Sequence, residues 1–247
     1  MRARAHAPEE ATLAVEGVDT QCFAVRGEAS HNGAVLMLSD IYGAAEADNL
    51  AVAARIADAT RTTVYVPDIF RGTPWSKADE PGTAAFEAWR ESIPEEWPRK
   101  VGLAVGAFVA QNGVAALGTV GFCFGGGKLV DLLAEAPPRS PQSEPLQAPA
   151  HVGGVAFYGT RIDAAQLARV KSPLKLFFAE GDPLVPPEKR EELARVADEV
   201  TERTGVFCEA RVFTGQPHGF AHQKGVGDAA EAEEALALAC DFLLAVL

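Results

Sequence analysis

"GTVGFCFGGGKLVD" occupies residues 118–131 and sets Cys123 between Phe122 and Phe124, with Gly121 and Gly125 outside them. The run "LGTVGFC" (117–123) is continuously apolar and of strand length. Beyond it, apolar residues recur at helical spacing through about Glu135. A cysteine therefore stands where a buried strand turns sharply into a helix. The pentapeptide Gly121–Gly125 has the form G-x-C-x-G, the nucleophile elbow with sulfur in place of oxygen. Glycines let such a turn pass without clashing, and the amino end of the next helix offers N–H groups to a thiolate or oxyanion. Packing gives an alternative: a buried cysteine acting as a small hydrophobe. A phosphate loop is excluded, because Lys128 would need glycine at 122 and Ser or Thr at 129, where Phe122 and Leu129 stand.

Outward from this turn, strands and helices alternate. A leading hairpin is expected over 12–28, broken at Gly17 to Asp19. Strands are expected at 34–40, 62–68, 117–123, in "GGVAFYG", in "LKLFFAEGD" and in "CEARVFTG". Helices are expected at 46–59, 99–113, after Cys123, at 188–203 and over the C-terminal "DAAEAEEALALACDFLLAVL". Near-continuous apolar strands between helices predict one α/β domain over 1–247, with a mostly parallel twisted sheet and helices on both faces. Functional groups in such sheets gather at the carboxyl ends of strands. The Pro-, Ser- and Gln-rich stretch 136–150 is expected to be an exposed loop insertion.

Composition narrows the partners. The 247 residues carry 22 basic and 34 acidic side chains, a net charge of −12. That balance repels phosphate backbones and anionic lipid, so neither nucleic acid nor a membrane is an expected partner. No stretch reaches the roughly 18 apolar residues that span a bilayer. The four cysteines lack CxxC spacing and form neither a disulfide framework nor a zinc site. The expectation is a cytoplasmic protein, with organelle targeting left open. Nothing here sets the oligomeric state, monomer or weak dimer.

A nucleophile needs a base, and the base needs an acid that orients it. Asp182 follows one buried strand, in a turn set by Gly181 and Pro183. His218 follows the next, between Pro217 and Gly219. The chain order nucleophile, acid, histidine is that of α/β-hydrolases. Alone, Asp182 could cap a helix and His218 could be a surface histidine. His218 and His222 stand four apart, but Gly219 weakens any helix that would pair them, and no metal or other cofactor is expected. Asp40 ends the first buried strand. It could cap the next helix or, facing Cys123, keep the thiol protonated at rest.

At these residues the chain resembles the dienelactone hydrolase family, and in particular its eukaryotic carboxymethylenebutenolidase homologues. "LMLSDIYG", "VYVPDIFRG", "GFCFGG", "FYG", "FFAEGDPLVP" and "FTGQPHGF" are similar to that family's blocks, in order, from about residue 34 onward. The resemblance implies an α/β-hydrolase fold and a triad of Cys123 (nucleophile), His218 (base) and Asp182 (orienter). It implies an oxyanion hole from the backbone N–H groups of Ile41 and Phe124, and it places the carboxylate beside the resting thiol at Asp40. Bacterial members bind a substrate carboxylate through an arginine four positions after the histidine; here that position is His222. A second substrate arginine of the family has Arg71, Arg90 and Arg99 as candidates. Tyr42, Trp75 and Phe220 are candidates to line an apolar pocket, with core packing as the alternative for each, and His222 is the fourth pocket candidate. The expected substrate is a small activated ester or lactone, hydrolysed through an acyl-cysteine. A thioesterase or general carboxylesterase is the alternative within catalysis, and a non-catalytic binding protein of the same fold the alternative outside it.

Overall fold

The computed structural model describes residues 7–28, 32–135 and 150–247. The stretch 136–149, most of the expected insertion, lies outside the described residues, and Ala150 already opens a strand. The strands are β1 (Glu9–Val15), β2 (Val18–Arg26), β3 (Gly33–Leu38), β4 (Thr63–Pro67), β5 (Ala116–Phe122), β6 (Ala150–Phe157), β7 (Leu174–Ala179) and β8 (Cys208–Phe213). The helices are α1 (Ala47–Thr60), α2 (Ala84–Ser92), α3 (Trp97–Gln111), α4 (Phe124–Glu135), α5 (Ala164–Leu167), α6 (Pro187–Thr204) and α7 (Ala229–Val246).

One eight-stranded sheet runs in the order β1-β2-β4-β3-β5-β6-β7-β8. The leading hairpin β1–β2 attaches antiparallel to β4, and every pair from β4 to β8 is parallel. Alternation along the strands divides the core in two. Leu36 and Leu38 face a layer built from α3, α4, α5 and α6, whereas Val35 and Met37 face one built from α1 and α7. Strands buried on both faces have no polar side to alternate with, so they read as unbroken apolar runs. Two helices escaped the sequence reading. The short α2 has no buried residue, and α5 is four residues long, capped by Asp163. With 9 and 4 residues, both are shorter than the window of about 11 residues over which a helical period can be counted.

Among the described residues, no helix is long and apolar enough to cross a membrane. Parallel pairing brings the ends of β3, β5, β6, β7 and β8 to one edge, where Asp40, Cys123, Tyr158, Asp182 and His218 all sit.

Burial leaves one titratable group in the core with a consequence for stability. His151, on β6, is shielded from solvent, and burial alone pushes its imidazole down to about 4. In the unfolded chain the same group takes its proton near 6.5. The unfolded state therefore binds more protons between these values. Stability is full above about pH 6.5, falls as pH drops towards 4, and levels off below. The loss is on the order of 3 kcal/mol. Urea denaturation of wild type and His151→Gln from pH 7 to 4 should show the decline flattened in the variant; parallel declines would assign it to other groups.

Candidate active site

At the β5–α4 turn Cys123 adopts φ 55, a left-handed conformation rare for residues with a side chain. The turn is held by Cys123 N–H donating to Phe157 O at 3.0 Å, and by the N–H groups of Gly127 and Thr160 donating to Cys123 O at 3.2 and 3.1 Å. The flanking glycines are required by close approach. A Cβ at Gly121 would lie 2.4 Å from Gly125 O, and one at Gly125 would lie 2.2 Å from Leu38 O. Strand, turn and helix are thus packed backbone to backbone, with the cysteine pushed to the sheet edge.

His218 Nδ1 lies 2.7 Å from Asp182 Oδ2, and Asp182 Oδ1 accepts the Leu184 N–H at 2.8 Å. The two loops are tied by Gly181 N–H donating to Gln216 O at 2.8 Å. His218 Nε2 is buried without a directed hydrogen bond, and the charge of Cys123 acts on this ring. Burial disfavours the imidazolium. It is outweighed first by the hydrogen bond to Asp182 and then by Cys123, so that His218 is pushed up to about 10. The other cysteines differ. Burial pushes Cys22 and Cys240 up to about 12 and Cys208 up to about 11, leaving inert thiols in apolar surroundings.

Two backbone amides stand out by what their own peptide groups do. Asp40 O accepts the Gly43 N–H at 3.2 Å, and Cys123 O accepts Gly127 and Thr160. In a trans peptide the N–H points opposite to the C=O, so these bonds aim the amides of Ile41 and Phe124 away from the acceptors' partners. Among the described residues neither amide donates to a backbone carbonyl outside helices and strands. The amides beside them, Tyr42, Cys123 and Gly125, are all engaged. Trp75 N–H also donates to Ile41 O at 2.8 Å and steadies the turn.

Asp40 is almost fully buried, and both its carboxylate oxygens are hydrogen-bonded to groups other than the thiol. Oδ1 accepts from Asn49 Nδ2 at 2.8 Å and Tyr42 N–H at 3.1 Å; Oδ2 faces His222 Nε2 at 2.9 Å and accepts from Gln223 Nε2 at 3.3 Å. Burial raises the carboxyl, but His222, Asn49 and the Tyr42 amide together bring it below its ordinary value. His222 Nδ1 lies 2.5 Å from the Tyr158 hydroxyl. With 0% of its side chain exposed and both ring nitrogens taken, His222 presents no donor to a substrate carboxylate. The pocket role expected of His222 thus finds no free ring nitrogen in this geometry. His218 and His222 serve separate carboxylates, and among the described residues no cluster of His, Cys, Asp and Glu is arranged to hold a metal ion.

The remaining expected pocket residues divide. Tyr42 is half-buried, with Lys77 Nζ 5.3 Å from its ring centre, and its phenol is raised by burial and by the charges of Asp40 and Cys123. Trp75 joins an aromatic wall with Phe86 and Trp89, whose ring centres lie 5.1 and 5.4 Å away. That wall reaches Phe124 through Phe70. Phe220 is core, packed against Phe213 and Tyr158. A cleft of about 490 Å³ opens beside Phe124 and is lined also by Arg90, Ile93, Lys128, Thr160 and Arg161. Of the candidate arginines, Arg90 lines this cleft and pairs with Glu87, Arg71 lies over Trp97, and Arg99 pairs with Glu135. Tyr158 was missed as a site residue. Its signal is "FYG" at a strand end, which alone marks no chemistry.

A family model described as "Dienelactone hydrolase family" matches residues 21–247. The chain belongs to the dienelactone hydrolase family. A curated relative, the carboxymethylenebutenolidase homolog of Mus musculus, is 30% identical over 209 residues, covering 83% of this chain and 77% of that one. A structure of a putative dienelactone hydrolase from Klebsiella pneumoniae superposes with a TM-score of 0.78 at 15% identity, covering 97% of each chain. A dienelactone hydrolase-like promiscuous phosphotriesterase from metagenomic libraries superposes at 0.73 and 15% identity, covering 97% of this chain and 98% of its own. At such identities the structural likeness establishes the fold: the mostly parallel sheet expected from the strand–helix alternation, in the α/β-hydrolase form that the resemblance implied. Membership of the dienelactone hydrolase family rests on the match to its model and on the sequence relatives.

Proposed function

We propose that this protein is a cysteine-dependent hydrolase of small activated esters or lactones, acting through an acyl-cysteine. The observation that carries this is the strained turn presenting Cys123 beside a histidine whose Nδ1 is held 2.7 Å from a buried aspartate and whose Nε2 has no directed partner. The Cys123 proton passes to His218 Nε2, and the sulfur attacks the carbonyl carbon. The C=O electron pair moves onto oxygen, where the Ile41 and Phe124 amides receive it; each such donor contributes on the order of 3 kcal/mol. Collapse breaks the bond to the leaving oxygen, which takes the proton from His218. Water then gives a proton to His218 and attacks the thioester, and the thiolate departs. Asp182 keeps the imidazole oriented and stabilises its charged form throughout.

A sulfur nucleophile is itself a good leaving group, so the tetrahedral adduct goes forward only if the substrate's other group leaves readily. Enol lactones, aryl esters and thioesters meet that condition; simple amides do not. A side-by-side panel of an enol lactone, p-nitrophenyl esters, acyl thioesters and an anilide tests the proposal. Turnover of activated esters with none of the anilide is the expected result. Turnover of none of them would overturn it.

The enclosure of His222 adds a specificity prediction. An anionic lactone and a neutral ester of similar size should show parallel KM values between pH 6 and 8, because the enclosed His222 does not read the carboxylate. A KM that rises with pH for the anionic substrate alone would return that role to a titrating group.

A further inference from the structure

Beside the Cys123 turn runs a second chain of polar side chains, each almost fully enclosed: Tyr158, His222 and Asp40. Its hydrogen-bond directions follow from the partners. The Asp40 carboxylate can only accept, so His222 Nε2 donates to Oδ2 at 2.9 Å. His222 Nδ1 then accepts the Tyr158 O–H at 2.5 Å, and the Tyr158 oxygen accepts the Ala221 N–H. Tyr158 has one proton and has committed it, so it is not available to a substrate.

The three residues come from three separate strand ends. Asp40 directly precedes Ile41 and braces that turn by also accepting the Tyr42 N–H. His222 lies four residues beyond His218 in the loop after β8. Tyr158 follows Phe157, whose carbonyl accepts the Cys123 N–H, and its ring centre lies 4.9 Å from that of His218. Each bond therefore ties one loop of the site to another.

We propose that the Tyr158–His222–Asp40 chain is a positioning device, holding the Ile41 turn in register with the Cys123 turn and the His218 loop. It rests on the reading of Cys123 as nucleophile and of Ile41 N–H as an oxyanion donor. A displacement of about 1 Å at such a site costs up to about 10²-fold in rate, so residues that never touch substrate gain a measurable effect on turnover.

The test separates two reactions of the same thiol. Ester hydrolysis builds an oxyanion. Alkylation by iodoacetamide displaces iodide from carbon and builds none. Tyr158→Phe deletes one hydroxyl and keeps the ring packed between Phe122 and Phe220. It should lower kcat for an aryl ester about ten-fold, with KM and the alkylation rate of Cys123 both within about two-fold of wild type. Asp40→Asn, which keeps the side-chain size, should show the same split if Tyr158→Phe folds poorly. In His222→Gln, adding Tyr158→Phe should cost little more, because the residues act as one unit. Unchanged kcat, or kcat and alkylation falling in parallel, overturns the proposal. Hydrolysis retained by Cys123→Ala, or absent from the wild type, overturns instead the catalytic reading beneath it.

Discussion

Cys123→Ala should lower hydrolysis of an aryl ester by about 10³-fold or more while leaving the fold intact. Alanine keeps the left-handed turn residue free of extra bulk and deletes only the sulfur, so the backbone bonds of Cys123 to Phe157, Gly127 and Thr160 persist. On the proposed mechanism, what remains can bind and polarise a carbonyl but has no atom to attack it. The three other thiols cannot substitute: each is buried and held in its protonated form. The measurement is kcat/KM for p-nitrophenyl acetate together with a thermal melt. Loss of activity with an unchanged melt is the expected pair, and an active variant would remove the cysteine from the mechanism.

His218→Ala should produce a loss of similar size, again about 10³-fold, with a different signature. The imidazole is pushed up to about 10 by Asp182 and by Cys123, against the opposing effect of burial. On the proposed mechanism it takes the proton of the thiol and faces the sulfur while that proton is away. Removing it should slow hydrolysis and iodoacetamide alkylation together. That distinguishes it from Tyr158→Phe, which should slow hydrolysis alone. Alkylation at the wild-type rate in His218→Ala would mean that the histidine does not activate the thiol.

Much of this architecture could be read along the chain, for identifiable reasons. Strands β3 to β7 are buried on both faces, so each appears as a short apolar run, and the loops after them carry residues whose local chemistry is visible. Gly121 and Gly125 betray a backbone approach so close that a Cβ on either would lie under 3 Å from a carbonyl oxygen. Gly181 with Pro183, and Pro217 with Gly219, betray the turns that present Asp182 and His218. What stayed hidden depends on distance along the chain. Asp40 and His222 are 182 positions apart, and nothing local to either records the 2.9 Å between them. Asp40 was accordingly read as a helix cap or a neighbour of the thiol, and His222 as a reader of a substrate carboxylate, with no sign that the two hydrogen-bond to each other. Tyr158 completes that pairing from β6, a third strand end. Helix α2 stayed hidden for a different reason: its 9 residues, with Phe86 and Trp89 on the face towards Trp75, are too few for a period to stand out.

The central claim is that the acyl group passes through Cys123. Mixing enzyme with excess p-nitrophenyl ester, quenching in acid within the first turnovers and mapping peptides by mass spectrometry tests it directly. The account predicts one acyl group on the peptide carrying Cys123, released by hydroxylamine and absent from Cys123→Ala. Hydrolysis that proceeds with no adduct on Cys123, or with the acyl group on another residue, would contradict it.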